Sequence, residues 1–163
     1  MNGMVAQIHS IPDLIRGVVQ SYDESVRNTL DHMLCLSAKR VYLTGCGDSH
    51  HASLGAELAF EKLAGLPTEA LTALQFARYA AEYMPKSEPG TNLVIGTSVS
   101  GEVSRTLEAL LAGRRGGATT IAMTATPTSR VARAAELMVD TTQPPFQDPP
   151  GVHIPGVRSY VAN

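Results

Sequence analysis

From Arg40 onward the chain alternates short apolar runs, bounded by glycine or hydroxyl residues, with longer stretches rich in alanine, leucine and glutamate. Residues 41–44, 93–97, 119–124 and 137–141 have the length and texture of strands, and residues 68–71 form a briefer one. Helices are expected between them at residues 51–64, 73–83, 103–113 and 129–134. Strand and helix in turn make βαβ units, which require a parallel sheet covered on both faces. The strand runs are apolar throughout, as fully buried parallel strands should be. The pattern therefore predicts an α/β fold: a doubly wound, flavodoxin-like sheet of five parallel strands in the order 2-1-3-4-5, with helices on both faces.

The flanks read differently. Residues 1–39 predict two leading helices that pack on the domain. Ser10 is placed to cap the first, with Pro12 as its second residue, and residues 23–38 repeat the apolar spacing as the second. Residues 40–142 form the domain itself. Residues 143–163 open with five of the chain's ten prolines, Pro144, Pro145, Pro149, Pro150 and Pro155, and read as a semi-rigid strap. The segment from Gly156 to Asn163 resembles the start of a further helix.

At 163 residues the chain has room for one globular domain. Charged residues make up 17%, against roughly 25% in an average chain, so part of the exterior is expected to be buried on another chain. The net charge of −2 excludes recruitment to nucleic acid or an anionic membrane by bulk charge. Cys35 and Cys46 form no CxxC or zinc-ligand pattern, which reads as a reducing compartment. With no signal peptide and no apolar run long enough for a membrane span, the expected location is cytoplasmic.

Ligands of open parallel sheets bind outside the carboxyl ends of the strands. Two such ends carry polar, flexible loops. In Thr44-Gly45-Cys46-Gly47-Asp48-Ser49-His50-His51 the glycines allow a tight turn, and the following helix offers free N–H groups, a partial positive charge and the Ser49 hydroxyl. In Gly96-Thr97-Ser98-Val99-Ser100-Gly101-Glu102, Ser98 and Ser100 alternate around Val99 and Gly101 frees the backbone. Either loop alone is also an ordinary capped turn. Together they surround one phosphate with hydroxyls, amides and two helix dipoles, and need no lysine or arginine.

Gly45-Cys46-Gly47-Asp48-Ser49, followed about fifty residues later by Ser98-Val99-Ser100-Gly101-Glu102, resembles the SIS (sugar isomerase) domain family, whose members bind phosphosugars. Leu63-Ala64-Gly65-Leu66-Pro67 and Gly156-Val157-Arg158-Ser159-Tyr160 extend the likeness over nearly the whole chain. The resemblance implies that Ser49, Ser98 and Ser100 bind phosphate, with Gly47 and Gly101 letting the backbone approach. It implies aldose–ketose isomerisation of a hexose or hexosamine 6-phosphate, or deamination, by a homodimer or by two SIS domains in a longer protein. The sequence departs from the family at Val99, where glutamine is common, and at Val103, where threonine is common, a loss of two polar groups that bears on the affinity or the identity of the bound group.

Isomerisation needs a base to move a proton between neighbouring carbons. Glu102, beside the second loop, is the candidate catalytic residue within the chain, although an acid in the first turn of a helix is favourable for dipole reasons alone. In two-domain relatives the resemblance places the catalytic groups in the second domain or its tail, so a non-catalytic phosphosugar-binding or regulatory domain is the competing reading. A dinucleotide-binding domain is a third: Gly45 and Gly47 begin a GxG, but His50 stands where the third glycine is needed. His50 and His51 are adjacent and diverge on a helix, and with Cys46 and Asp48 they match no metal-ligand spacing. No metal or cofactor is expected.

Overall fold

The computed structural model describes residues 3–86, 91–147 and 157–162. Five strands, β1 (Arg40–Gly45), β2 (Thr68–Thr72), β3 (Asn92–Thr97), β4 (Thr119–Thr124) and β5 (Leu137–Asp140), pair in parallel in the order β2-β1-β3-β4-β5. The expected strand order and all five strand positions are found.

Side chains along a strand point alternately to its two faces, and each face is apolar here. Val41, Leu43, Leu93, Ile95, Ile121 and Val139 build one core. Tyr42, Val94, Phe76 and Leu110 build the other, where the Tyr42 and Phe76 rings lie 5.4 Å apart, tilted by 53°. Phe76 and Leu110 are fully buried, and each such side chain contributes roughly 1.5–3 kcal/mol of transfer free energy.

Helix α3 (Asp48–Ala59) follows β1 and continues through a π-helical turn, Phe60–Ala64, that ends at Gly65. After β2 come α4 (Ala73–Gln75), a second π-helical turn (Phe76–Ala80) and α5 (Ala81–Tyr83). Helix α6 (Ser104–Arg115) links β3 to β4, and α7 (Arg130–Ala134), capped by the Ser129 hydroxyl on Ala132 N–H, links β4 to β5.

The leading helices differ from expectation in their boundary. Helix α1 runs unbroken over Gly3–Thr29, through both Pro12 and Asp23, and α2 is confined to His32–Ser37. Ser10 does not cap: its hydroxyl donates to the Gln7 carbonyl at 2.7 Å, the back-bonding of a mid-helix serine. Pro12 removes one ladder bond, which tertiary burial of Gln7 ahead of it and of Leu14 and Val18 behind it offsets. The break falls instead at Asp31, whose carboxylate accepts from Leu34 N–H at 2.8 Å.

Helix α1 covers the β5 edge of the sheet. Thr29 Oγ1 donates to the Met138 carbonyl at 3.0 Å, Asp140 N–H donates to Ser25 Oγ at 2.9 Å, and the Tyr22 hydroxyl donates to the Thr141 carbonyl at 2.8 Å. Burial raises the Tyr22 phenol above its ordinary value. At the opposite edge, Ala70 N–H of β2 donates to Glu57 Oε2 at 3.0 Å, so a side chain of α3 occupies a backbone group that an edge strand would otherwise expose. Of the proline-rich segment, Pro149, Pro150 and Pro155 lie outside the described residues; the chain is described again at α8 (Ser159–Ala162), where a further helix is expected.

Candidate functional site

Strand register brings the two loops together. Gly45 at the end of β1 pairs with Thr97 at the end of β3, and Thr97 pairs with Met123 of β4, so the loops after β1, β3 and β4 leave the sheet side by side. Between them opens a cleft of about 660 Å³. Cys46, Asp48 and Ser49 line it from the first loop. Thr97, Ser98, Val99, Ser100 and Val103 line it from the second, and Ala125 and Thr126 from the β4–α7 turn. Ser159 of α8 completes the wall.

Gly47 is the N-cap of α3 with φ +55° and ψ −124°, backbone angles that a side chain disfavours. The turn it makes lets Ser49 N–H donate to the Cys46 carbonyl at 3.2 Å and sets Ser49, 8% exposed, at the cleft wall. Asp48, in the first turn of α3, lies where the helix dipole favours a negative charge.

The second loop is tied down along its length. Ser98 N–H donates to the Met123 carbonyl, Ala125 N–H to the Val99 carbonyl and Val131 N–H to the Gly101 carbonyl, all within 3.1 Å. Gly101, at φ +67°, lies so close to Ser129 that a Cβ would fall inside that side chain. Ser98 is 2% exposed, and among the described residues it is the cleft-lining residue whose hydroxyl oxygen is buried without a hydrogen-bond partner. Ser100 Oγ accepts weakly from Glu102 N–H at 3.4 Å. Val103 is the N-cap of α6 and provides no side-chain cap, so the first N–H groups of that helix meet the cleft without one.

Ser49, Ser98 and Ser100, picked out in the sequence, thus share one cleft, with Gly47 and Gly101 shaping its two loops. Glu102 is not among the lining residues; its Oε1 accepts from Arg130 N–H, the first residue of α7, at 3.3 Å. The His50 and His51 rings lie 5.9 Å apart, and His50 Nδ1 is buried without a partner. Among the described residues no group of three His, Cys, Asp or Glu side chains is placed to hold a metal ion. No described helix is long and apolar enough to cross a membrane. Thr126 and Ser159 were not foreseen as cleft residues. Ser159 arrives from sixty positions beyond Ser98, and its only mark in the sequence is the Gly-Val-Arg-Ser-Tyr segment that contains it.

The model of the SIS domain family matches residues 35–162. The chain belongs to the SIS domain family. Among its relatives, this SIS domain is 33% identical over 142 residues to glutamine–fructose-6-phosphate aminotransferase (isomerizing) of Gloeobacter violaceus, a match that covers 85% of the chain and 22% of that protein. Its fold is shared with glucosamine-6-phosphate deaminase of Thermotoga maritima, with a TM-score of 0.67 at 19% identity over 85% of the chain and 40% of the other. It is shared also with the C-terminal domain of glucosamine-fructose-6-phosphate aminotransferase of Francisella tularensis, with a TM-score of 0.64 at 19% identity over 85% of the chain and 39% of the other. The SIS domain described here spans about a fifth of the curated relative's length and two fifths of each solved chain.

Proposed function

We propose that this SIS domain binds a hexose or hexosamine 6-phosphate, with the phosphate held between the second loop and the N-terminus of α6. The observation that carries this is the Ser98 hydroxyl, buried without a partner in a cleft where an uncapped helix N-terminus also ends. A buried orphan hydroxyl costs roughly 1–3 kcal/mol, and an anion at this point satisfies it. Ser100, Ser49 and the α6 N–H groups supply further donors, while Gly47 and Gly101 hold the backbone clear. The names of the relatives, which act on fructose 6-phosphate and glucosamine 6-phosphate, support the sugar.

Within this reading, residues 40–142 are the phosphosugar-binding domain, residues 1–39 its leading helices, and residues 143–163 a proline-rich strap and the start of a further helix, from which Ser159 joins the cleft. A homodimer or a second SIS domain completes the site, in a cytoplasmic isomerase or deaminase. A binding or regulatory role without turnover has one observation in its favour: among the described lining residues, Asp48 and Cys46 are the only groups able to act as a base, and no histidine, lysine or glutamate joins them.

Calorimetric titration with fructose 6-phosphate, glucosamine 6-phosphate and NAD tests the proposal. Binding of the sugar phosphates, lost when Ser98 and Ser100 are both changed to alanine, is the expected result; binding of NAD alone overturns it. Glu102→Gln keeps an acceptor for the Arg130 N–H but cannot serve as a base: turnover retained marks the cap, and lost turnover at full stability marks the base.

A further inference from the structure

We propose that Arg158 is a positioning residue of the cleft, a latch that holds Ser159 in the wall; this rests on the reading that the cleft takes a sugar phosphate. Helix α8 has only four residues, far too few to hold a helical conformation by themselves, so its place is set by what it is tied to. It packs on α3 and α1, and a set of side-chain bonds meets at the residue before it. Arg158 Nη1 donates to Ser10 Oγ of α1 at 3.1 Å, and Nη2 donates to the Pro144 carbonyl at 2.9 Å. Gln143 Nε2 donates to the Arg158 carbonyl at 3.0 Å, and the guanidinium carbon stands 4.9 Å from the centre of the Phe146 ring. The next residue, Ser159, lines the cleft, while Ala162 at the far end of α8 is buried.

A guanidinium suits this task because its planar fork reaches two acceptors in different directions, which a single ammonium on a flexible stem does poorly. Ser10 completes the chain of contacts: its hydroxyl donates to Gln7 O while accepting from Arg158. The long first helix, remote from both phosphate loops in sequence, therefore bears on the cleft through one serine and one arginine. Arg158 itself is not a lining residue, so its effect runs through Ser159 and spares the phosphate end.

Calorimetric titration of the full chain with fructose 6-phosphate and, separately, with inorganic phosphate tests the latch. Arg158→Ala is expected to weaken fructose 6-phosphate binding roughly tenfold while phosphate affinity stays within roughly twofold. Ser159→Ala should give a similar loss, and the double variant no further loss, since both changes remove one contact. Arg158→Lys should behave like Arg158→Ala. If instead lysine restores affinity and phosphate weakens in parallel with the sugar phosphate, the guanidinium acts through charge and the latch is wrong. Unchanged fructose 6-phosphate affinity in Arg158→Ala, with wild-type binding both ligands, also overturns it. Wild-type protein that binds neither ligand overturns the phosphosugar reading and the latch with it. Should Arg158→Ala fail to fold, Ser10→Ala removes the α1 contact alone; an affinity loss of about threefold supports the latch and none refutes it.

Discussion

Gly47 and Gly101 both adopt positive φ ahead of a helix, yet a Cβ on Gly47 would meet no atom within 4 Å, whereas one on Gly101 would overlap Ser129. The first loop stands more open: Gly47 and Asp48 are exposed, and the backbone N–H groups of Ser49, His50 and His51 turn back to the Cys46 and Gly47 carbonyls. The second is bonded to β4 and α7 and packed against them. Similar residue types thus make a rigid half and an adjustable half of one cleft. A preorganised donor set is the costlier to build and the stronger to bind, because nothing need be ordered when the ligand arrives.

Four substitutions test this contrast. Gly101→Ala adds overlap to an unfavourable φ and should cost roughly 3–4 kcal/mol in chemical denaturation, by overpacking and backbone strain together. An effect below that of Gly47→Ala would end the distinction. Ser98→Ala should weaken fructose 6-phosphate binding by about thirtyfold, the loss of one hydrogen bond to a charged group, while the unliganded protein melts no lower than before. A fall in both affinity and melting temperature would mean that Ser98 supports the fold. Gly47→Ala meets no obstacle, so its cost should be the backbone penalty alone, about 1–3 kcal/mol. Asp48→Asn removes the one carboxylate of the open loop from the cleft. Phosphate affinity by titration should rise about threefold, because an exposed like charge repels only weakly through water.

The strands and their order were legible because apolar runs bounded by glycine have few alternatives once they alternate with helical stretches. The first helix was not. Pro12 after Ser10 has the form of a helix start, and the burial of Gln7 ahead of it has no local signature to show that the helix begins earlier. Asp31 did carry a cap signature, but the apolar spacing running through it from Val26 to Leu34 concealed the break. In the cleft, the meeting of the serines was legible because the 2-1-3-4-5 order sets the loops after β1 and β3 side by side. Ser159 was not, since its place depends on a long return path and on Arg158, whose contacts to Ser10 and Pro144 have no local spacing to betray them.

Among the described residues, the cleft is lined by no lysine, arginine or histidine. An anion held there exchanges water for fixed dipoles rather than for mobile cations, and so displaces few counterions as it binds. On the phosphosugar reading, occupancy of the cleft should follow how much ligand is present and change only weakly with the ionic strength around it.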